Sequence, residues 1–110
     1  MKMITLSIDF KGISSESELH DKFKQLFGFP DFYGKNFHAF VDCLTSLRIP
    51  EEGMTSINIK QDEYILLEVG NINQLSDDLK HNFLLSIQDV NSRSILFGEK
   101  ASILLLLSNF

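Results

Sequence analysis

A chain of 110 residues with 44% apolar content, ten phenylalanines and a net charge of −5 can bury one hydrophobic core but is too short for two. Its ten Lys and Arg residues are scattered singly, which excludes the basic patch of a protein that binds RNA or DNA directly. No apolar run approaches the roughly 18 residues of a membrane span; the longest, Ile103 to Leu107, reads as a strand.

The first ten residues, Met1 to Phe10, alternate as a strand, with Ile4, Leu6, Ile8 and Phe10 on one side. Asp9 falls where a signal peptide would still be apolar. A lone cysteine, Cys43, cannot form an internal disulfide and fits a reducing compartment. A cytoplasmic protein, one domain over residues 1–110, is the expectation. Ser15-Glu16-Ser17-Glu18 matches a capping box, and Leu19, Phe23, Leu26 and Phe27 follow at helical spacing. Gly28 and Pro30 end that helix. A second helix spans about Asn36 to Leu47 and stops before Pro50. Its apolar stripe is Phe37, Phe40, Val41, Leu44 and Leu47, with His38, Asp42 and Thr45 on another face.

Glu51-Glu52-Gly53 is a turn, and Met54 to Lys60 fits either a short strand or an extended loop. Tyr64 to Val69 is nearly continuous in apolar character, as a strand buried on both faces would be. Gly70 and Asn71 break it. Ser76 caps a helix whose Leu79, Phe83, Ile87 and Val90 keep a helical period; Ser92 to Lys100 is connecting structure, and Ser102 to Ser108 forms a last strand. Strand, two helices, strand, helix, strand is an α/β pattern with crossovers. It predicts a small, mostly parallel three-stranded sheet packed against three to four helices.

The chemistry-bearing residues point away from catalysis. His20, His38, His81 and Cys43 lack metal-ligand spacing, and no glycine-rich phosphate loop or nucleophile elbow is present, so neither a metal nor a cofactor is expected. His38 and Asp42 lie four residues apart on one helical face, a spacing that solvated helix faces often carry. No nucleophile or oxyanion donor accompanies them. Cys43 adjoins the apolar stripe and reads as a small buried hydrophobe. Tyr33 reads as packing, Gly34 as a turn residue with positive φ, and Asn36 as a helix cap. Asp42 has no local structural task on its polar face, which favours a functional one.

The stretch from Phe29 to Thr45 carries a family resemblance. Pro30-Asp31-Phe32-Tyr33-Gly34, then Asn36, then Asp42-Cys43-Leu44 resemble the barstar family of intracellular ribonuclease inhibitors, with matching spacing from Tyr33 to Asp42. Leu19-His20 with Leu26, Gly53-Met54-Thr55, Val90-Asn91-Ser92-Arg93 and the last apolar strand extend the likeness in a less specific way. The resemblance implies a two-layer barstar-like fold and a partner-binding surface on the second helix and the loop before it. Asp42 would enter the cationic pocket that otherwise holds an RNA phosphate. Phe32, Gly34, Asn36 and Thr45 would contact the enzyme around it, and Asp89 would add to a negative rim.

Three positions depart from the family pattern. His38 stands where the prototype inhibitor has a second aspartate, Val41 where it has a tryptophan, and Lys35 where an acid is usual. Loss of a charge and a large aromatic at an interface centre points to a different ribonuclease as the cognate partner. The implied function is inhibition of a cognate ribonuclease, which a basic surface on the partner would favour and which a bacterial toxin would fit, by a protein monomeric when free. A barstar-fold interaction or regulatory module with a non-ribonuclease partner is the alternative.

Overall fold

A computed structural model describes residues 2–108; Met1, which the sequence places in the first strand, lies outside them. The order is β1 (Lys2–Asp9), α1 (Glu16–Phe27), α2 (Phe37–Thr45), β2 (Glu63–Gly70), α3 (Asp77–Leu96) and β3 (Ile103–Ser108), with 3-10 turns at Pro50–Glu52 and Ile72–Gln74. The strands form one sheet in the order β1-β2-β3, parallel throughout. The register pairs Ile4 with Ile65 and Ile65 with Ile103. Parallel neighbours need crossovers; α1 and α2 supply the first, α3 the second.

Each helix begins where the local chemistry provides a cap. The Ser15 hydroxyl accepts from Glu18 N at 3.2 Å, and the Glu18 carboxylate answers by accepting from the Ser14 amide and from the Ser14 and Ser15 hydroxyls. The reciprocal half of the box therefore reaches one residue further back than usual. Asn36 and Ser76 accept from Ala39 N and Leu79 N at the starts of α2 and α3. Gly28 ends α1 at φ 68°, where a Cβ would also collide with the Ser56 hydroxyl. Glycine is required there on both counts.

A cluster of aromatic rings fills the core. Phe10 after β1, Phe23 on α1, Phe40 on α2 and Phe83 on α3 are fully buried, and their ring centroids lie 4.8 to 6.4 Å apart. Each buried ring contributes about 1.5–3 kcal/mol by leaving water, with a further increment from the offset and edge geometries. The inner sheet face, with Ile8, Ile65, Leu67, Val69 and Ile103, closes the core from the other side.

Two expectations change and one open alternative is settled. β2 is buried on one face only: Ile65, Leu67 and Val69 are covered, whereas Tyr64, Leu66 and Glu68 are half-buried between exposed Met3, Leu104 and Leu106. The apolar run reflects a central strand flanked on both edges, with helices on one side alone. Residues 54–60 form an extended loop rather than a strand, tied by Ser56 N to Phe27 O and Ile59 N to Leu47 O, both at 2.9 Å. Most consequentially, α3 continues to Leu96 instead of giving way near Ser92. Serines usually compete with helical backbone, but buried Ser94 donates to Val90 O and meets Ser102 Oγ at 2.7 Å, so it packs α3 against the start of β3.

Candidate functional site

The segment between α1 and α2 is built by alternating burial. Phe29 and Tyr33 point into the core, and Tyr33 N donates to Pro30 O at 2.9 Å to close a turn. Phe32, at the outer corner of that turn, is 76% exposed. The residue with positive φ is Lys35 (φ 52°), not Gly34. Gly34 instead leaves room for the cap, since a Cβ there would lie 3.1 Å from Asn36 Nδ2, which donates to the Gly34 carbonyl. Lys35 pays out its charge locally, 2.8 Å from Asp21 on α1.

Tyr33 is anchored from below. Its hydroxyl is 2.6 Å from Nδ1 of the fully buried His20, whose Nε2 is 3.2 Å from a Glu16 carboxylate oxygen. The carboxylate can only accept, so in the neutral imidazole Nε2 carries the proton and Nδ1 accepts from Tyr33. Burial holds His20 below its ordinary pKa and raises that of Tyr33, which suits this arrangement. His20 was legible only as a motif residue; the Glu16–His20 spacing of four on one helix was the available signal.

On α2 the residues named from sequence divide into two sets. His38 and Asp42 are exposed, whereas Val41 is 5% exposed and belongs to the core. Thr45 is half-buried and its hydroxyl donates back to Val41 O at 2.6 Å. Across from them runs α3, and between the two helices lies an open groove of about 240 Å³. Phe37, Val41 and Leu85 give it apolar walls, and His38, Asp89 and Arg93 give it a polar rim. His38, Val41 and Asp89 thus meet at one groove beside Asp42, while Phe32, Gly34 and Asn36 occupy the loop and cap that lead into α2.

Asp42 has a local partner after all. Arg93 Nη1 donates to Asp42 Oδ1 at 2.8 Å, and both side chains stay substantially open, 45% and 63% exposed. This bond joins α3 to α2 across 51 residues. Arg93 escaped the sequence reading as a site residue because the helix was expected to end before it; its spacing of four from Asp89 was the missed clue.

The remaining candidates are inert. Cys43 is buried, and burial pushes its thiol up to about 11, with Asp42 adding to the effect, so the nucleophilic thiolate is scarce near neutrality. Among the described residues no His, Cys, Asp or Glu side chains cluster as metal ligands would, and no helix is long and apolar enough to cross a membrane.

A family model described as Barstar (barnase inhibitor) matches residues 3–93. Over 43 residues the chain is 42% identical to a Bacillus subtilis (strain 168) protein described as "Putative ribonuclease inhibitor YrdF". That alignment takes in 39% of this chain and 47% of the relative, so the chain spans about half the relative's length.

Proposed function

This chain belongs to the barstar family, and on that premise we propose that it is an intracellular inhibitor that binds a cognate ribonuclease and blocks its active site. The observation that carries the reading is Asp42: its carboxylate stands 63% exposed on α2, the helix that follows the turn on which Phe32 is exposed. A carboxylate placed among arginine, lysine and histidine side chains makes charge-assisted bonds that the RNA phosphate can no longer make. Phe32, Gly34, Asn36 and Thr45 complete the contact around Asp42, with His38, Val41 and Asp89 at the groove. The protein acts as a plug and not as an enzyme, needs no metal or cofactor, and contacts no nucleic acid itself. We place it in the bacterial cytoplasm as a free monomer, an immunity protein against a ribonuclease toxin, with contact-dependent competition between cells as the setting.

A second reading is a barstar-fold interaction module for another kind of partner. Arg93 favours it in one respect, since it already occupies one oxygen of Asp42.

RNA cleavage by a ribonuclease domain encoded beside the gene, titrated with the protein and with Asp42→Ala, separates the two. Active-site inhibition predicts stoichiometric loss of cleavage. It also predicts that Asp42→Ala weakens inhibition by at least about thirtyfold, the effect of removing one member of a desolvated charge pair. Inhibition indifferent to Asp42→Ala would move the interface elsewhere, and absence of both inhibition and binding would leave the interaction module.

A further inference from the structure

Arg93 does more at this surface than stabilise the fold. An exposed, single-bonded ion pair between two helices already packed together contributes little stability. Its effect on recognition is larger, because the partner's cations must compete with Arg93 for Asp42 and then accept a like charge beside them. The bond uses Nη1 and Oδ1 alone, and with 45% of its side chain exposed Arg93 can reach an acidic group on a partner. The Lys35 charge is drawn to Asp21 instead, which leaves Arg93 as the cation at the groove rim, opposite His38 and one helical turn from Asp89.

We propose that Arg93 determines specificity at this surface. By holding the Asp42 carboxylate, it selects against ribonucleases whose pocket is purely cationic and for those that set an acidic side chain opposite Arg93. The proposal rests on the inhibitor reading and adds the charge pattern of the partner.

Barnase, the enzyme named in the matching family's description, serves as the probe, with the cationic phosphate pocket that the family resemblance implies. Inhibition constants are measured for the unaltered protein, Arg93→Ala, Asp42→Asn and the double variant, at low and high salt, with urea midpoints as a folding control. Arg93→Ala is expected to tighten inhibition of barnase by about fivefold or more at low salt, by less at high salt, and by clearly less when Asp42 is already Asn. The midpoint should stay within the scatter of a surface substitution. Unchanged or weaker inhibition by Arg93→Ala overturns the proposal. So does an equal gain in the Asp42→Asn background, or no inhibition of barnase by either protein at the highest concentration tested. A cognate ribonuclease, such as one encoded beside the gene, keeps the two ideas apart. Asp42-dependent inhibition there, with no Arg93 effect on barnase, overturns this proposal alone; Asp42-independent behaviour there overturns the active-site reading itself.

Discussion

The Tyr33 hydroxyl donates to His20 Nδ1 at 2.6 Å beneath the loop that carries Phe32. Through this bond the floor of the candidate interface is tied to α1, and the turn from Pro30 to Tyr33 is held by a buried polar contact as well as by ring packing against Phe29. Tyr33→Phe keeps the ring and leaves the His20 nitrogen buried without its donor. The expected cost is about 1–3 kcal/mol, read as a lower urea midpoint with an unchanged slope. A midpoint equal to that of the unaltered protein would show that the hydroxyl contributes nothing to the anchor.

The same pair sets a pH dependence. Burial lowers the pKa of His20 from its ordinary 6.5, and the nearby Glu16 carboxylate opposes that shift without cancelling it. As pH falls below about 6.5 the unfolded chain takes up the proton before the folded one does, so the unfolded state binds more protons and stability falls with pH. The loss continues until the folded pKa is passed. Asp9 and Glu18 carry lowered pKa values through hydrogen bonds, the first from Asn71 and the second from Ser14; their contribution is lost at more acid pH, below the ordinary carboxylate range. A stability–pH curve should therefore fall as pH drops below about 6.5 in the unaltered protein and lie flatter there in His20→Phe/Tyr33→Phe. The same slope in both would remove His20 as its source.

What the sequence disclosed and what it hid follow from the range of the interactions. Phe23, Phe40, Phe83 and their periodic neighbours are buried by a local pattern, so helices and strands were legible from spacing. The caps at Ser15, Asn36 and Ser76 were equally local. The end of α3 was not, because Ser94 is kept helical by Ser102, the residue just before β3. Asp42 looked isolated for the same reason, its partner being on another helix. Single-sided burial of β2 depended on where the helices pack, and the glycine at position 34 answers to the room Asn36 needs to cap α2, while the left-handed backbone falls at Lys35. Phe32 was legible as a candidate through family resemblance, and Asp42 also through its place on the polar face of α2, whereas the degree of exposure of each required the fold.

Arg48 offers a test of how the lower end of the molecule is held. Its buried guanidinium donates to the carbonyls of Lys60, Glu63 and Lys100 at 2.8 to 3.2 Å and to Ser102 Oγ at 2.8 Å. Glu99 lies 3.7 Å away as counter-charge. One side chain thus ties the segment after α2 to the starts of β2 and β3. Arg48→Ala strands these acceptors and should cost about 3 kcal/mol or more. Arg48→Lys keeps the charge but not the planar fork, and should recover less than half of that loss. Full recovery by lysine in urea denaturation would mean that charge, rather than the set of directed bonds, is what the site uses.

Phe32 separates binding from folding more cleanly than any buried residue can. With 76% of it exposed, truncation removes little packing, so Phe32→Ala should change stability by no more than about 0.5 kcal/mol. If the ring is an aromatic anchor of the inhibitor surface, the same substitution should weaken inhibition by about tenfold, in the range where interface aromatics matter. The loss should appear mainly as faster dissociation, since Phe32 carries no charge to steer encounter. Surface-plasmon kinetics against a ribonuclease that the protein inhibits, paired with a urea curve, would read both quantities. A destabilised protein would put Phe32 among the packing residues, and unchanged dissociation would move the aromatic contact off this turn.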